Sequence, residues 1–277
     1  MTGFGNVAVA GLGLVGGSLA RDLAARGVRV LGHDRDPAAV RAAVEEGVVA
    51  ALGPRLEGVE EADVLVLAVP PGAAEEVLAA ALPRLGRARL VTDAASTKRG
   101  IAAAAERLGV GSRFVGAHPL AGSHLSGWGA SRAGLFEGAP VFVCPGAESG
   151  AGAVVLAGAL WRSVGGRVRL LPAEEHDRLL AWSSHLPQLV STALAGALGD
   201  AGIARAQLGP GGRDMTRLAG SSPEMWTGIA RENADFLAAA LAATEARLAG
   251  LRRAVESGDA GRIAELFREA QGWFGEG

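Results

Sequence analysis

The stretch that most constrains this chain is Asn6 to Ser18, NVAVAGLGLVGGS. Val7-Ala8-Val9-Ala10 is short and apolar, as a buried strand requires. Gly11, Gly13 and Gly16 follow at G-x-G-x-x-G spacing, and Ser18-Leu19-Ala20 begins a helical pattern. A strand that turns this sharply into a helix aims the helix N-terminus and the bare glycine backbone at one point. That geometry receives a pyrophosphate. The motif alone is weak in a chain with 42 glycines, and its plainer reading is a tight β–α turn that binds nothing. Context adds to it. A second strand, Val28 to Gly32, ends in His33-Asp34, which places Asp34 eighteen residues past Gly16, close to where an acidic residue binds the adenosine ribose.

The rest of the first half repeats this plan. Asp36-Pro37 reads as N-cap and first helical residue of a helix from Ala38 to Glu46, stopped by Gly47. Ala62 to Val69 is a near-continuous apolar run, typical of a parallel strand buried on both faces, and Pro70-Pro71-Gly72 leads from it into a helix from Ala73 to Leu82. Further strands are expected at Arg89 to Asp93, Arg113 to Ala117, Pro140 to Pro145 and Arg167 to Leu171, with helices through Leu108 and from Gly152 to Val164. The alternation predicts a Rossmann-type doubly wound parallel sheet with ligands beyond the carboxyl ends of the strands. The turns after Val9, Leu31, Val69, Asp93 and Ala117 then share one rim. From Ala173 onward the pattern is helical: Ala173 towards Leu198, Ser222 towards Glu256, and about Ala260 to Phe274. The expected division is residues 1–172, a dinucleotide-binding domain, and residues 173–277, an all-helical domain. Leu237, Leu241, Leu248 and Leu251 recur at positions that suit a dimer core, and the plainer reading is that they pack only within the subunit.

Composition removes other classes. A net charge of -2 gives no reason to expect nucleic-acid binding. No apolar stretch approaches the ~20 residues of a membrane helix, and no basic n-region marks a signal peptide. The single cysteine, Cys144, suits a reducing, cytoplasmic setting. Absence of H-E-x-x-H, paired cysteines or a zinc-like histidine spacing argues against a metal, and no G-x-S-x-G elbow supports a serine nucleophile.

Of the five histidines (His33, His118, His124, His176 and His185), His118 is the best placed for chemistry. It follows a predicted strand end, Pro119 fixes it at the rim, and an imidazole there can accept a proton as hydride leaves the same carbon. Ser96, one rim turn earlier, is positioned to bond that imidazole or a nicotinamide, or to cap a helix. Lys98, the only lysine, has three readings: salt bridge, substrate carboxylate ligand, or a residue of the first helical turn. Arg213 and Arg217 flank Asp214 in a glycine-rich loop. Their guanidinium forks suit a substrate with two carboxylates, and the plainer reading is an exposed ion pair with Asp214.

Together GLGLVGGS (Gly11 to Ser18), TDAASTK (Thr92 to Lys98), HPLAGS (His118 to Ser123), SHLPQ (Ser184 to Gln188) and RDMTRLAGSSPEMW (Arg213 to Trp226) resemble the prephenate/arogenate dehydrogenase family of tyrosine biosynthesis over nearly the whole chain. The resemblance implies oxidative decarboxylation of a cyclohexadienyl acid, with hydride passed to a nicotinamide cofactor. It implies that His118 takes the ring hydroxyl proton with Ser96 holding it, and that Arg217 binds the ring carboxylate. Arg213, Ser184, His185, Ser123 and Gln188 complete the implied substrate set, and the implied assembly is a homodimer through the C-terminal helices. The expected cofactor set is Gly11, Gly13, Leu14, Val15, Gly16, Asp34, Arg35, Val69 and Pro70. Asp34 favours NAD, whereas a guanidinium such as Arg35 can accommodate the extra phosphate of NADP.

Two positions depart from the family pattern. Gln188 stands where a second histidine is usual, and His124 where prephenate-preferring members often carry an acid. Both bear on the choice between prephenate, arogenate and an amino-substituted prephenate. With the chain ending near Gly277, the regulatory domain that some members append is not expected here. β-Hydroxyacid dehydrogenases and imine reductases share the two-domain plan but generally place a lysine or aspartate where this chain has Ser184 and His185. An NAD-binding sensor without turnover is the non-enzymatic alternative.

Overall fold

The computed structural model describes residues 3–70, 72–122 and 125–275. Ser123, expected at the substrate site, and His124 lie outside the described residues. The chain begins with β1 (Asn6–Ala10), α1 (Leu14–Ala24), β2 (Arg29–His33), α2 (Pro37–Glu45), β3 (Ala50–Ala51), β4 (Val64–Leu67), α3 (Ala74–Ala81), β5 (Leu90–Asp93), α4 (Arg99–Arg107) and β6 (Phe114–Pro119). It continues through β7 (Pro140–Pro145), α5 (Ala151–Ser163) and β8 (Arg167–Leu170). The eight strands form one sheet in the order β3-β2-β1-β4-β5-β6-β7-β8. Its first six strands have the 3-2-1-4-5-6 order of a dinucleotide-binding sheet, with the order reversing between β1 and β4.

The alternation of side chains explains why this sheet is covered on both faces. Val7, Val9, Val64 and Val66 point into one core with Leu19, Leu23 and Trp161 from α1 and α5. Ala8, Ala10, Leu65 and Leu67 point into the other with Leu78 of α3 and Ile101 of α4. Each such Val or Leu contributes about 1.5–3 kcal/mol on burial, so a one-residue register slip would be strongly disfavoured.

Several expectations require correction. The first helix starts at Leu14, directly after Gly13, four residues earlier than expected. The sheet is not wholly parallel: β7 runs antiparallel to β6, and β8 is parallel to β7. The turn β6–β7 therefore reverses the chain, which a β–α pattern does not reveal. β6 also extends through His118 and Pro119, so His118 lies within the strand, opposite Phe142.

The remaining chain is helical: α6 (Ala173–Leu180), α7 (Leu186–Asp200), α8 (Pro210–Met215), α9 (Pro223–Glu232), α10 (Ala234–Glu256) and α11 (Ala260–Gly275). The single helix expected from Ala173 is divided by a π-turn at Ala181–His185. Pro187 has no N–H to give the carbonyl four residues before it, so the ladder shifts register just upstream. The helix expected to run from Ser222 to Glu256 breaks at Asn233. No helix among the described residues is long and apolar enough to cross a membrane.

Candidate active site

The site begins at the reversal between β1 and β4. Gly11 has φ +98°, and a Cβ there would strike the Ala68 carbonyl; one on Gly16 would strike the Gly11 carbonyl. A Cβ on Gly13, by contrast, would meet nothing within 4 Å. Two glycines are required by the protein itself, and the middle one borders open space. Helix α1 starts here with no side-chain cap, so the N–H groups of its first turn, Leu14 and Val15 included, lack intrahelical partners. Val69 closes over Gly11, and Pro70 follows on the exposed side. These residues fit a dinucleotide diphosphate.

Asp34, at the end of β2, accepts hydrogen bonds from Leu12 N at 2.6 Å and Asp36 N at 2.8 Å. Its carboxylate thus braces the glycine turn from the side where a ribose is expected. Arg35 is exposed and lies 3.9 Å from Glu224 at the start of α9.

On β6, His118 is buried, and its Nδ1 lies 2.9 Å from Nε2 of His176 on α6. His176 Nδ1 in turn lies 2.8 Å from Oδ1 of Asp177. Asp177 accepts from the N–H groups of Lys98 and Arg99 at 2.8 and 3.0 Å and from Arg99 Nε at 3.3 Å. It therefore caps α4, which has no side-chain cap of its own. Phe142 packs edge-on against His176, with ring centroids 5.4 Å apart.

Burial works against charge on all three residues, with different results. Burial pushes His118 well below the ordinary histidine range; repulsion from His176, were that ring also charged, the Lys98 ammonium, and His185, were it charged, push the same way. His176 is lowered by burial, partly opposed by its bond to Asp177. Burial raises Asp177, but the bonds from His176, Arg99 and Lys98 outweigh it and hold the carboxyl low. Asp177 is thus the acceptor, and His176 Nδ1 carries a hydrogen. His176 Nε2 is then an acceptor, so His118 Nδ1 carries a hydrogen as well. His118 Nε2 is left with a lone pair, and among the described residues it has no hydrogen-bond partner.

Lys98 is fully buried and ion-paired with Asp93 at the end of β5. Lys98 Nζ donates to the Ala117 carbonyl at 2.8 Å, and Asp93 Oδ1 accepts from Ala117 N at 2.9 Å. The β5–β6 ladder ends at Thr92 and Val115, so this pair takes over the backbone of the residue just before His118. Of its three readings, the salt bridge is the one formed. Ser96 is half-buried, makes no hydrogen bond to His118, and is not the α4 cap; His176 occupies the role expected of it.

The helical part contributes His185, from the π-turn, with Ser184 half-buried beside it. His185 Nδ1 lies 3.2 Å from Asn233 Nδ2, which also donates to the Asp177 carbonyl at 2.8 Å. Arg99 donates to Asn233 Oδ1 at 3.1 Å and so fixes the orientation of the amide. His185 Nδ1 is then an acceptor, and Nε2 carries the hydrogen. Burial lowers His185 to about 4. His185 Nε2 and Trp226 Nε1 are buried and have no partner among the described residues, their rings 5.8 Å apart. Two orphan N–H donors side by side are costly unless a ligand supplies acceptors.

Arg213 and Arg217 are exposed, Arg213 Nε donates to the Leu208 carbonyl at 2.9 Å, and among the described residues neither pairs with Asp214. Gln188 was expected to touch substrate. Instead its amide bonds inside the protein, with Nε2 donating to the Leu218 carbonyl at 2.7 Å and Oε1 accepting from Ser221 Oγ at 3.2 Å. It holds the Arg217–Gly220 turn against α7. His176, Asp177, Asn233 and the neutral donor of Trp226 were not assigned from sequence. His176 lies 58 residues from His118 and Asp177 lies 79 from Lys98, so no local spacing links them.

Comparison with known proteins bears on this arrangement. Residues 19–170 match the family model of the prephenate dehydrogenase nucleotide-binding domain, and residues 172–269 that of the prephenate dehydrogenase dimerization domain. Cyclohexadienyl dehydrogenase of Zymomonas mobilis is 34% identical over 98% of this chain and 95% of its own. The crystal structure of prephenate dehydrogenase from A. aeolicus in complex with hydroxyphenyl propionate and NAD+ has a TM-score of 0.89 at 30% identity, covering 98% of both chains. Arogenate dehydrogenase of Synechocystis has a TM-score of 0.84 at 30% identity, covering 98% of this chain and 99% of its own.

Proposed function

The chain belongs to the prephenate dehydrogenase family, and from that premise we propose that it oxidatively decarboxylates prephenate to 4-hydroxyphenylpyruvate in tyrosine biosynthesis. It is an NAD-dependent dehydrogenase. Bound NAD would supply the hydride acceptor, and the N-terminus of α1, the turn at Gly11–Gly13, Val69, Pro70 and the Asp34 carboxylate would hold it. Asp34 selects NAD over NADP.

The observation that carries the reading is His118: neutral, buried at the rim, with Nε2 free to accept the ring hydroxyl proton. Aromatisation drives the reaction, so alignment and one base suffice. In this reading Arg217 binds the ring carboxylate, and Arg213 and Ser184 border the substrate. Ser96 is left free for the nicotinamide or the ring hydroxyl. His185 and Trp226 offer N–H groups to oxygen acceptors. An ammonium is itself a donor and gains nothing from them, which favours the 2-oxo acid prephenate over the 2-amino acid arogenate.

The proposed division is residues 1–172 for the cofactor and 173–277 for substrate and assembly. The proposed assembly is a homodimer: Leu248, Val255, Phe267 and Trp273 stand exposed along α10 and α11. Leu237, by contrast, is buried within the subunit.

The test is NADH formation by the purified protein with prephenate and with arogenate, each against NAD and NADP. Turnover is expected with prephenate and NAD. Preference for arogenate would overturn the substrate reading, and NAD binding without turnover of either acid would favour a sensor.

A further inference from the structure

We propose that His176 and Asp177 are positioning residues for the base, holding His118 in the single tautomer whose lone pair is on Nε2. The chemical consequence rests on the reaction just proposed; the tautomer itself does not. In that reaction the ring hydroxyl O–H bond breaks as hydride leaves the carbinol carbon for NAD. The proton goes to His118 Nε2, and the O–H pair becomes the carbonyl π bond. The ring carboxylate then leaves as carbon dioxide, its C–C pair enters the ring, and the resulting phenolate oxygen takes the proton back from Nε2. His118 must therefore begin with Nε2 bare and must tolerate a transient positive charge.

Three observations place His176 and Asp177 in that role. The distances His118 Nδ1 to His176 Nε2 and His176 Nδ1 to Asp177 Oδ1 are 2.9 and 2.8 Å, in a buried row whose His176 and Asp177 are fully enclosed. The row is anchored: Asp177 is fastened to the start of α4 by two backbone N–H groups, and its carbonyl to Asn233. Finally, the surroundings oppose an imidazolium. Lys98 stands on the α4 side, paired with Asp93 of β5; Arg99 is paired with Asp235; His185 faces from the π-turn. Cys144 of β7 is a thiol pushed up to about 12, and Arg169 of β8 lies over Phe142. Among these groups Asp177, acting through His176, is the carboxylate whose hydrogen bonds lead to His118. The arrangement follows the logic of a carboxylate orienting a catalytic imidazole, lengthened by one histidine.

The test uses the full-length protein and 15N-resolved histidine NMR, with the His118 signal assigned by its loss in His118→Asn. Wild type should show His118 with hydrogen on Nδ1 and a bare Nε2. His176→Gln retains an acceptor of similar reach and should keep that tautomer, with kcat within about tenfold of wild type. His176→Asn is too short to reach; it should give a mixed tautomer and lower kcat by about 10²-fold with NAD affinity unchanged. The proposal is overturned if His176→Asn leaves the His118 tautomer as in wild type, or if the Gln and Asn variants lose activity equally. The NMR measurement needs no substrate, so it decides the tautomer even if the proposed reaction is wrong.

Discussion

His118 ends a buried row of hydrogen-bonded side chains, whereas Arg213 stands exposed on α8 and Arg217 on the following turn, which the buried amide of Gln188 holds to its helix. The first region is finished before any substrate arrives: the backbone before His118 is pinned by Lys98 and Asp93, and its ring by His176. The second keeps its charges solvated: among the described residues neither arginine has an acidic partner, and Arg213 Nε donates only to the Leu208 carbonyl at 2.9 Å. The difference follows from what each must do. A base acts through one lone pair at one point, and burial both neutralises it and fixes its direction. A carboxylate ligand must attract an anion, and a guanidinium buried in advance would cost more than it returns.

The comparison is broken most sharply at the base itself. His118→Asn keeps a polar group on β6 but removes the lone pair, so kcat should fall by about 10³–10⁴-fold. NAD affinity, measured by fluorescence titration, should be unchanged, because the glycine turn lies at another strand end. Turnover close to wild type would remove His118 as the base.

Lys98 tests whether the buried region is held together as described. Lys98→Met leaves the Asp93 carboxylate buried without its partner, a loss of about 3–5 kcal/mol. In a chain of this size that lowers Tm by roughly 10 °C. Asp93→Asn added to Lys98→Met removes the stranded charge while an amide oxygen still accepts from Ala117 N, so part of the loss should return. A double variant less stable than the single one by calorimetry would show that the charge was not the cause.

At the exposed end the expected effects are smaller and of another kind. Arg217→Ala should raise the KM for the ring acid by about 10–100-fold, the loss of one charge-assisted bond or a bidentate pair. The KM for NAD should not move. Equal changes in both would rule out Arg217 as the carboxylate ligand.

What could be read from the sequence divides along the same line. The glycine turn and the apolar strand leading to His118 are legible because each is decided within a few residues by backbone sterics or by alternation, although that strand runs on through His118 and Pro119. His176 and Asp177 were not, since their partners lie across the fold and a histidine on an amphipathic helix has no distinguishing local pattern. Pro187 was visible, but the π-turn it produces depends on how the displaced carbonyls are repaired. Asn233 falls within a continuous helical pattern in the sequence; its side chain instead bonds Asp177 and Arg99, and the chain breaks there. Resemblance placed Gln188 at the substrate, and only the packing shows both ends of its amide already bonded.

That last residue gives the finest test of the contrast. If Gln188 acts through Arg217, Gln188→Ala should loosen the Arg217–Gly220 turn by freeing the Leu218 carbonyl and Ser221 hydroxyl, at a cost of about 1 kcal/mol. Part of that cost falls on substrate binding, so KM for the ring acid should rise about threefold to fivefold while kcat holds. In Arg217→Ala the turn has no carboxylate ligand left to position, and adding Gln188→Ala should then change KM little. A double-mutant cycle reads this as a coupling close to the whole single-variant effect. If the two effects multiply instead, Gln188 meets the substrate on its own account, as a histidine in its place would. In that case the exposed end is built from two independent contacts rather than one arginine and its brace.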